Sequence, residues 1–143
     1  MLRDVVVKYY YPPNGYNYNC AESMLRAVNE YYQLDLPEVM LRGVSGFGGG
    51  AGHDVLCGAL ESAVITLSML FSVNGRGHES ELLTELTDRL LSRFEEKMGY
   101  LGCVGLKSRY HVPVRKCESI LVTAADLLEE IIDSNRELIV NKK

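Results

Sequence analysis

The sequence VLCGALESAVITLSMLFSV, at residues 55–73, is the longest apolar stretch of the chain, and the helix that it predicts over residues 54–72 decides the fold class. Apolar side chains recur along it at the three- and four-residue intervals of a helix with one buried face, and Asp54 is a suitable N-cap. The residues of that face are Cys57, Leu60, Val64, Leu67 and Phe71. Glu61, Gly58 and three serines interrupt the stretch, whereas a membrane span needs about 20 predominantly apolar residues. We therefore predict a buried helix and no membrane insertion.

The same three- and four-residue spacing predicts four more helices on either side of this stretch. They cover residues 17–33, 37–44, 80–98 and 114–135. Gly99 is a natural C-terminal stop for the helix that precedes it. Cys103 opens a single helical turn within an otherwise irregular connection at residues 100–115.

No strand-like alternation of apolar and polar residues persists beyond a few positions. Residues 106–114 or 138–140 would add at most a minor extended piece, and residues 141–143 should be frayed. The length of 143 residues suits one domain, since domains cluster at about 100–150 residues. We predict an all-α fold, a compact helical bundle of about five helices in a single domain of residues 1–143.

The charge pattern argues against nucleic acid as a partner. The chain has a net charge of −4, and its Lys and Arg residues are interspersed among Asp and Glu without the basic stripe that a polyanion-binding surface requires. The opening sequence MLRDVVVK, residues 1–8, reaches charged residues too soon to contain the apolar core of a signal peptide. We therefore expect a cytoplasmic protein.

Four cysteines lie where predicted helices begin: Cys20, Cys57, Cys103 and Cys117. Unpaired backbone N–H groups at helix starts stabilise a thiolate over a thiol. The cysteines are 37, 46 and 14 positions apart, so no locally paired zinc-ribbon or thioredoxin-type motif is present, and the tertiary fold must assemble any site. In a reducing cytoplasm they suit redox or metal chemistry better than structural disulfides. The alternative is that each packs as a small hydrophobe.

A glycine run, GFGGGAGHD at residues 46–54, precedes Cys57. It lacks the Lys-Ser/Thr ending of a P-loop and follows a predicted helix, so we do not expect it to bind a nucleotide. Instead, Gly48, Gly49 and Gly50 would let the backbone approach the sulfur of Cys57 and contribute to a cofactor site. His53 is a candidate base or metal ligand, four residues before Cys57. Because the loop and a helix start both act on Cys57, we predict that it is the most acidic thiol.

Four converging thiolates could perform either of two chemistries. Two dithiol pairs would cycle through disulfides, whereas four thiolates would hold an iron–sulfur cluster or another soft metal. Of the three pairings, we favour Cys20 with Cys57 and Cys103 with Cys117, because the second pair is close along the chain. Five tyrosines crowd the approach to Cys20, and we interpret them as packing at the rim of the site: Tyr9, Tyr10, Tyr11, Tyr16 and Tyr18.

Five sequence elements follow one another in a distinctive order: Asn19-Cys20-Ala21, Ser45-Gly46-Phe47-Gly48-Gly49-Gly50, Cys57-Gly58-Ala59, Cys103 and Cys117. This order resembles the family of redox-active proteins named for a C…CGAxxG…C…C pattern. The likeness covers residues 16–132, with Ser62 where the motif ends in glycine. It implies a small helical redox protein of bacteria or archaea. The family is also similar to a domain of certain split-Soret multihaem cytochromes, which implies electron transfer or a bound cluster, although this chain lacks the Cys-x-x-Cys-His of a covalent haem.

We therefore expect a cytoplasmic redox protein that uses its four cysteines as reversible dithiols or as ligands of an iron–sulfur or other metal centre, with an unidentified redox partner. The alternative is a non-enzymatic metal-binding or sensor module whose thiolate-bound metal is redox-inert. A third hypothesis makes the cysteines core packing in a homodimer, with the amphipathic helix at residues 79–98 as the interface.

Overall fold

Seven α-helices form in the part of the chain that the computed structural model describes, which is residues 1–11, 13 and 15–141. They are α1 (Leu2–Tyr10), α2 (Cys20–Tyr31), α3 (Glu38–Arg42), α4 (Gly58–Phe71), α5 (Glu81–Met98), α6 (Cys103–Tyr110) and α7 (Glu118–Ser134). These described residues contain no β-strand and only three isolated bridges, so the prediction of an all-α fold is confirmed. The predicted number of about five helices was wrong, because it omitted α1 and reduced α6 to a single turn.

Helix α4 lies at the centre of the packing, in contact with α2, α5 and α7. These neighbours bury it on several sides, including its polar residues Ser62 and Thr66. A helix that protein surrounds in this way needs apolar residues around most of its circumference, which explains the apolar sequence at this position. In the described residues, no helix is both long enough and apolar enough to cross a membrane.

The apolar stripe of α5 is buried within the same chain. Its five buried residues have the predicted spacing and are Leu83, Leu86, Leu90, Phe94 and Met98. They face α4 and α7, and the helix ends at Gly99, which has a φ of 85° as a glycine stop requires. A homodimer interface on α5 would therefore have only the polar face of this helix to use.

Two helices begin later than predicted. Asp54 does not cap α4, because its Oδ1 atom instead accepts a 2.6 Å hydrogen bond from the backbone N–H of Val104 in α6, and Cys57 is the N-cap of α4. The start of α7 is delayed by a bridge between Val112 and Lys116, which closes a tight turn. The α2 start fits the prediction of an asparagine cap, since the Asn19 side chain accepts the N–H of Glu22 at 3.0 Å.

The C-terminal end of the described chain is fixed to α4. The backbone N–H of Asn141 donates to the carbonyl of Leu70, and its side-chain amide donates to the carbonyls of Met69 and Ser72 at 3.1 and 2.8 Å. These bonds satisfy carbonyls at the C-terminal end of α4 and its cap. The prediction of fraying at residues 141–143 was thus wrong for Asn141, and residues 142–143 lie outside the described residues.

Candidate functional site

Four helix starts meet around one cavity of about 440 Å³, and all four cysteines line it. Cys20 and Cys103 are the first residues of α2 and α6, and Cys57 and Cys117 are the N-caps of α4 and α7. The predicted placement of every cysteine at a helix start is therefore confirmed. Cys20 is half-buried, whereas the other three are buried at 5 to 9% exposure. Because helix starts carry partial positive charge, the cavity favours thiolates and other anions.

Short hydrogen bonds hold the helix starts together. The N–H of Cys57 donates to the carbonyl of Leu101 at 2.9 Å, and the adjacent Leu56–Gly102 bridge joins the start of α4 to that of α6. The Tyr10 hydroxyl accepts the backbone N–H of Cys117 at 3.2 Å and so ties α1 to the start of α7. The cysteines are thus positioned by backbone contacts between elements that are distant in the sequence.

Cys20 and Cys57 form a hydrogen-bonded thiol pair. The Cys57 thiol donates to the Cys20 sulfur, and backbone N–H groups of Gly49, Ala21 and Ala59 donate to the same atom. Together they lower the pKa of Cys20 to about 6, against the opposing effect of burial. The pKa of Cys57 is raised by that hydrogen bond to Cys20 and by burial. The prediction that Cys57 is the most acidic thiol was therefore wrong, because the Cys57 thiol, the Gly49 amide of the loop and two helix-start amides all act on Cys20.

The glycine run forms a left-handed turn beside Cys20. Gly49, Gly50, Ala51 and Gly52 have φ values of 68°, 64°, 57° and 73°. Glycine adopts this conformation without the steric cost that a side chain adds, and three of the four positions are glycine. The turn directs the Gly49 N–H to the Cys20 sulfur.

The other residues predicted as a cofactor site have different surroundings. A Cβ atom at Gly48 would lie 2.5 Å from the side-chain nitrogen of Asn19, and one at Gly50 would lie 3.0 Å from the Cβ of Cys103. Gly48 therefore packs against the cap of α2, and Gly50 packs against the start of α6. His53 is exposed and is not part of the cavity wall. Of these four residues, the cavity is lined by Gly49.

Two residues of the central motif connect α4 to α2. Gly58 leaves no room for a side chain, because a Cβ atom there would lie 2.7 Å from the Cys20 Sγ atom. Ser62, which replaces the motif's final glycine, is fully buried and donates a 2.7 Å hydrogen bond from its Oγ atom to the carbonyl of Ala21. The serine thus adds a polar link next to Cys20 and leaves both sulfur atoms in place.

Cys103 and Cys117 are less acidic than Cys20. Burial raises the pKa of each thiol, and the nearby Lys107 ammonium opposes this effect at both. The Tyr10 hydroxyl also donates to the Cys117 sulfur, which lowers the pKa of that thiol. This second pair therefore stays protonated over the pH range in which Cys20 ionises.

The cysteines share one cavity without forming a metal-binding cluster. Across residues 1–11, 13 and 15–141, no group of three or more His, Cys, Asp or Glu side chains has the arrangement to hold a metal ion. An iron–sulfur cluster or a zinc ion needs several thiolates within bonding distance of the same metal centre. The arrangement therefore does not fit such a centre without movement of the sulfur atoms.

Sequence reasoning did not identify two lysines that line the cavity with the cysteines, Lys107 and Lys116. Lys116 precedes Cys117 directly, and Lys107 lies one helical turn after Cys103, so their spacing was a usable signal. Tyr10 lines the cavity, as its predicted place at the rim requires, but its contact with Cys117 had no sequence signal because it spans 107 positions.

Comparison with known proteins connects this geometry to one family. The family model described as "Putative redox-active protein (C_GCAxxG_C_C)" matches residues 18–131, which include all four cysteines and the glycine turn. In this chain the central motif reads Cys57-Gly58-Ala59 and ends at Ser62. No curated protein and no solved structure matches the chain significantly. Because the family model covers well over half of the sequence, the chain belongs to the C_GCAxxG_C_C family of putative redox-active proteins.

Proposed function

We propose that this chain is a thiol–disulfide redox protein in which Cys20 and Cys57 are the reacting pair. The observation that carries the proposal is the closeness of the two cysteines at the wall of a cavity. A Cβ atom on Gly58, the residue after Cys57, would lie 2.7 Å from the Cys20 Sγ atom, and the Cys57 thiol is the main cause of the lowered pKa of Cys20. Two cysteine sulfur atoms in hydrogen-bond contact need only small movements to form a disulfide. Cys20 is also the less buried residue of the pair.

The two thiols have different roles in the proposed reaction. With a pKa of about 6, Cys20 is mostly thiolate at neutral pH and is the nucleophile that attacks an oxidised partner. Cys57 keeps its proton until the mixed disulfide has formed and then attacks the Cys20 sulfur. Formation of the Cys20–Cys57 disulfide transfers two electrons to the partner and releases one proton, that of the Cys57 thiol, to the partner or to solvent.

Redox titration with identification of the disulfide tests this proposal. The reduced protein is equilibrated with mixtures of oxidised and reduced dithiothreitol, and the remaining thiols are alkylated and located by peptide mass spectrometry. We expect the reversible disulfide that forms first to join Cys20 and Cys57. C20S and C57S should abolish it, whereas the matched control C103S should retain it. Full alkylation of Cys20 and Cys57 at every oxidising ratio would contradict the proposal.

Cys103 and Cys117 form the second pair in this proposal. Their thiols line the same cavity, and each is protonated at neutral pH because burial raises its pKa. They would exchange electrons with the first pair more slowly than Cys20 reacts with a partner. A reversible dithiol also requires a compartment that can reduce it, and we propose the cytoplasm.

A thiolate-bound metal is the second candidate function, because four cysteines line one cavity. Its test is metal and acid-labile sulfide analysis of protein purified without oxygen, together with a thiol count. Iron with sulfide at a fixed stoichiometry would favour a cluster, and zinc at a fixed stoichiometry would favour a redox-inert sensor. Metal-free protein with four reactive thiols would contradict both forms of this candidate.

A further inference from the structure

The cavity wall is positively charged in a chain that is negatively charged overall. Among the described residues that line it, the cationic side chains are Lys107 and Lys116, the Cys20 thiolate is the anion at neutral pH, and none is Asp or Glu. The whole chain has a net charge of −4. The two lysines lie on different elements, α6 and the turn before α7, and both are exposed residues of the cavity wall.

Neither lysine is paired with an acidic side chain among the residues that the structure describes. In the described part of the chain, the side chains of Lys107 and Lys116 form no ion pair and no hydrogen bond, although neighbouring Arg115 pairs with Glu118 at 2.6 Å. Residues 99–117 contain four Lys and Arg residues and no Asp or Glu. Helix starts add partial positive charge at the same end of the molecule. The cavity wall therefore combines two lysines with the single Cys20 thiolate and has no carboxylate counterion, so its net charge is positive.

The cavity also has the size and lining of a small-molecule site. Its volume of about 440 Å³ lies within the range of about 300–1,000 Å³ that is usual for such sites. Leu106, Ile120 and Leu121 supply an apolar wall, and Asn17 and Tyr18 supply polar groups. A compact molecule with an apolar sulfur-containing part and charged ends fits this combination.

We infer that the cavity binds a small anionic disulfide, one that carries carboxylates beside its sulfur–sulfur bond, and that Cys20 and Cys57 reduce it. Lys107 and Lys116 bind the carboxylates and so hold the ligand's sulfur–sulfur bond among the cysteines. This inference rests on the proposed function and names the substrate class of the same site.

The reaction is balanced within the site. The Cys20 thiolate attacks one sulfur of the ligand, the ligand's sulfur–sulfur bond breaks, and the first ligand thiolate leaves. Cys57 loses its proton to that thiolate or to solvent and attacks the Cys20 sulfur, which breaks the mixed disulfide and releases the second ligand thiolate. The ligand gains two electrons, and the protein gains the Cys20–Cys57 disulfide.

A charge series of three small disulfides tests the inference. The probes are dithiodiglycolate, bis(2-hydroxyethyl) disulfide and cystamine, which are anionic, neutral and cationic at neutral pH. Formation of the Cys20–Cys57 disulfide is timed for the wild type and for the double variant K107Q/K116Q. The matched control is K97Q, which changes an exposed lysine of α5 outside the cavity wall.

The readout is the ratio of the wild-type rate to the double-variant rate for each probe. We expect a ratio on the order of 10 for the anionic probe at low ionic strength, near one for the neutral probe and below one for the cationic probe. High salt should bring all three ratios towards one. K97Q should give ratios near one throughout.

Equal ratios for the three probes would overturn the inference, because a lysine that acts only on thiol acidity or on folding changes all three rates alike. The proposed dithiol function would stand in that case. If none of the probes forms the Cys20–Cys57 disulfide in the wild type, the proposed function itself fails.

Discussion

A Cβ atom added at Gly58 would lie 2.7 Å from the Sγ atom of Cys20 and 2.9 Å from the carbonyl oxygen of Phe47. Real Cβ atoms do not approach other heavy atoms so closely, and the carbonyl belongs to the backbone, so the start of α4 must move away. The closeness of the two reacting cysteines therefore depends on the absence of a side chain at position 58.

We predict that G58A separates Cys20 from Cys57. The pKa of Cys20 should rise towards its ordinary value as its hydrogen bonds lengthen, and the free energy of unfolding should fall by about 1–3 kcal/mol. The pKa is measured from the pH dependence of Cys20 alkylation. The control is G77A, because a Cβ atom at Gly77 has nothing within 4 Å. An unchanged Cys20 pKa in G58A would show that the glycine is not needed for the pair.

The second prediction concerns the acidity of Cys20. In the reduced wild type, its alkylation rate should be half-maximal near pH 6, since its pKa is lowered to about that value. C57A removes the hydrogen-bond donor that contributes most to this lowering, so the midpoint should move to higher pH. C57S is the matched control, because a hydroxyl still donates a hydrogen bond. Identical midpoints in C57A and the wild type would contradict the assigned hydrogen bond.

Ionisation of Cys20 should also change stability with pH. Its pKa is lowered from 9.0 in the unfolded chain to about 6 in the folded protein, so its contribution is fully present above pH 9 and is lost as the pH falls through 6. Between these values the free energy of unfolding of the reduced wild type should rise with pH, relative to C20S, by at most about 1.4 kcal/mol per pH unit. Urea unfolding with reductant measures the difference. Parallel pH profiles for the two proteins would rule out a stabilised thiolate.

Tyr10 should act on Cys117 and leave Cys20 unchanged. Y10F removes the hydroxyl that accepts the Cys117 N–H at 3.2 Å and donates to its sulfur, so the pKa of Cys117 should rise and stability should fall by about 1 kcal/mol. The adjacent control is Y9F, whose lost hydroxyl donates to Glu30 instead. The pKa of each cysteine is measured from the pH dependence of its alkylation. Equal effects of Y10F and Y9F on Cys117 would contradict a specific role of the Tyr10 hydroxyl.

Restoring the motif glycine at position 62 should destabilise this chain. S62A removes the buried 2.7 Å hydrogen bond to the Ala21 carbonyl, at a cost of about 1 kcal/mol. S62G should cost about 1 kcal/mol more, because glycine is unfavourable inside a helix. S68A is a milder control, since the Ser68 hydroxyl bonds to Val64 within its own helix and is only half-buried. Chemical unfolding of the three variants gives their free energies of unfolding and checks this order. An S62G variant as stable as the wild type would contradict the prediction.

Helical periodicity was sufficient to predict the helices that bury a single face. The stripes of α5 and α7 recur in the sequence as they do in the structure, because a single face of each helix meets the core. Helix α1 was missed, since its sequence LRDVVVKYY contains a run of β-branched valines with low helix propensity. It folds because Leu2 and Val6 are fully buried in the core and because α1 packs on α2 and α7. Such tertiary stabilisation leaves no local pattern to detect.

The positions of the cysteines could be predicted, but their relative acidity could not. Each cysteine lies where a helical pattern begins, and that pattern is local. The acidity of Cys20 depends on donors at Gly49 and Cys57, which come from other parts of the chain. The turn at residues 49–52 was expected to stabilise the thiolate of Cys57, which is the nearest cysteine in the sequence. Its Gly49 N–H instead donates to the sulfur of Cys20, which is distant in the sequence.

The left-handed turn at residues 49–52 and the Cys20 thiolate stabilise each other. An amide that lowers the pKa of a thiolate is in turn held in place by the negative charge, because the coupling between two linked groups is reciprocal. A disulfide sulfur carries no such charge, so oxidation of Cys20 removes this attraction on the Gly49 amide. Ala51, the non-glycine residue of the turn, has a left-handed φ of 57°, which a residue with a side chain adopts at a steric cost. Oxidation of the Cys20 sulfur should therefore change how well the turn at residues 49–52 is ordered.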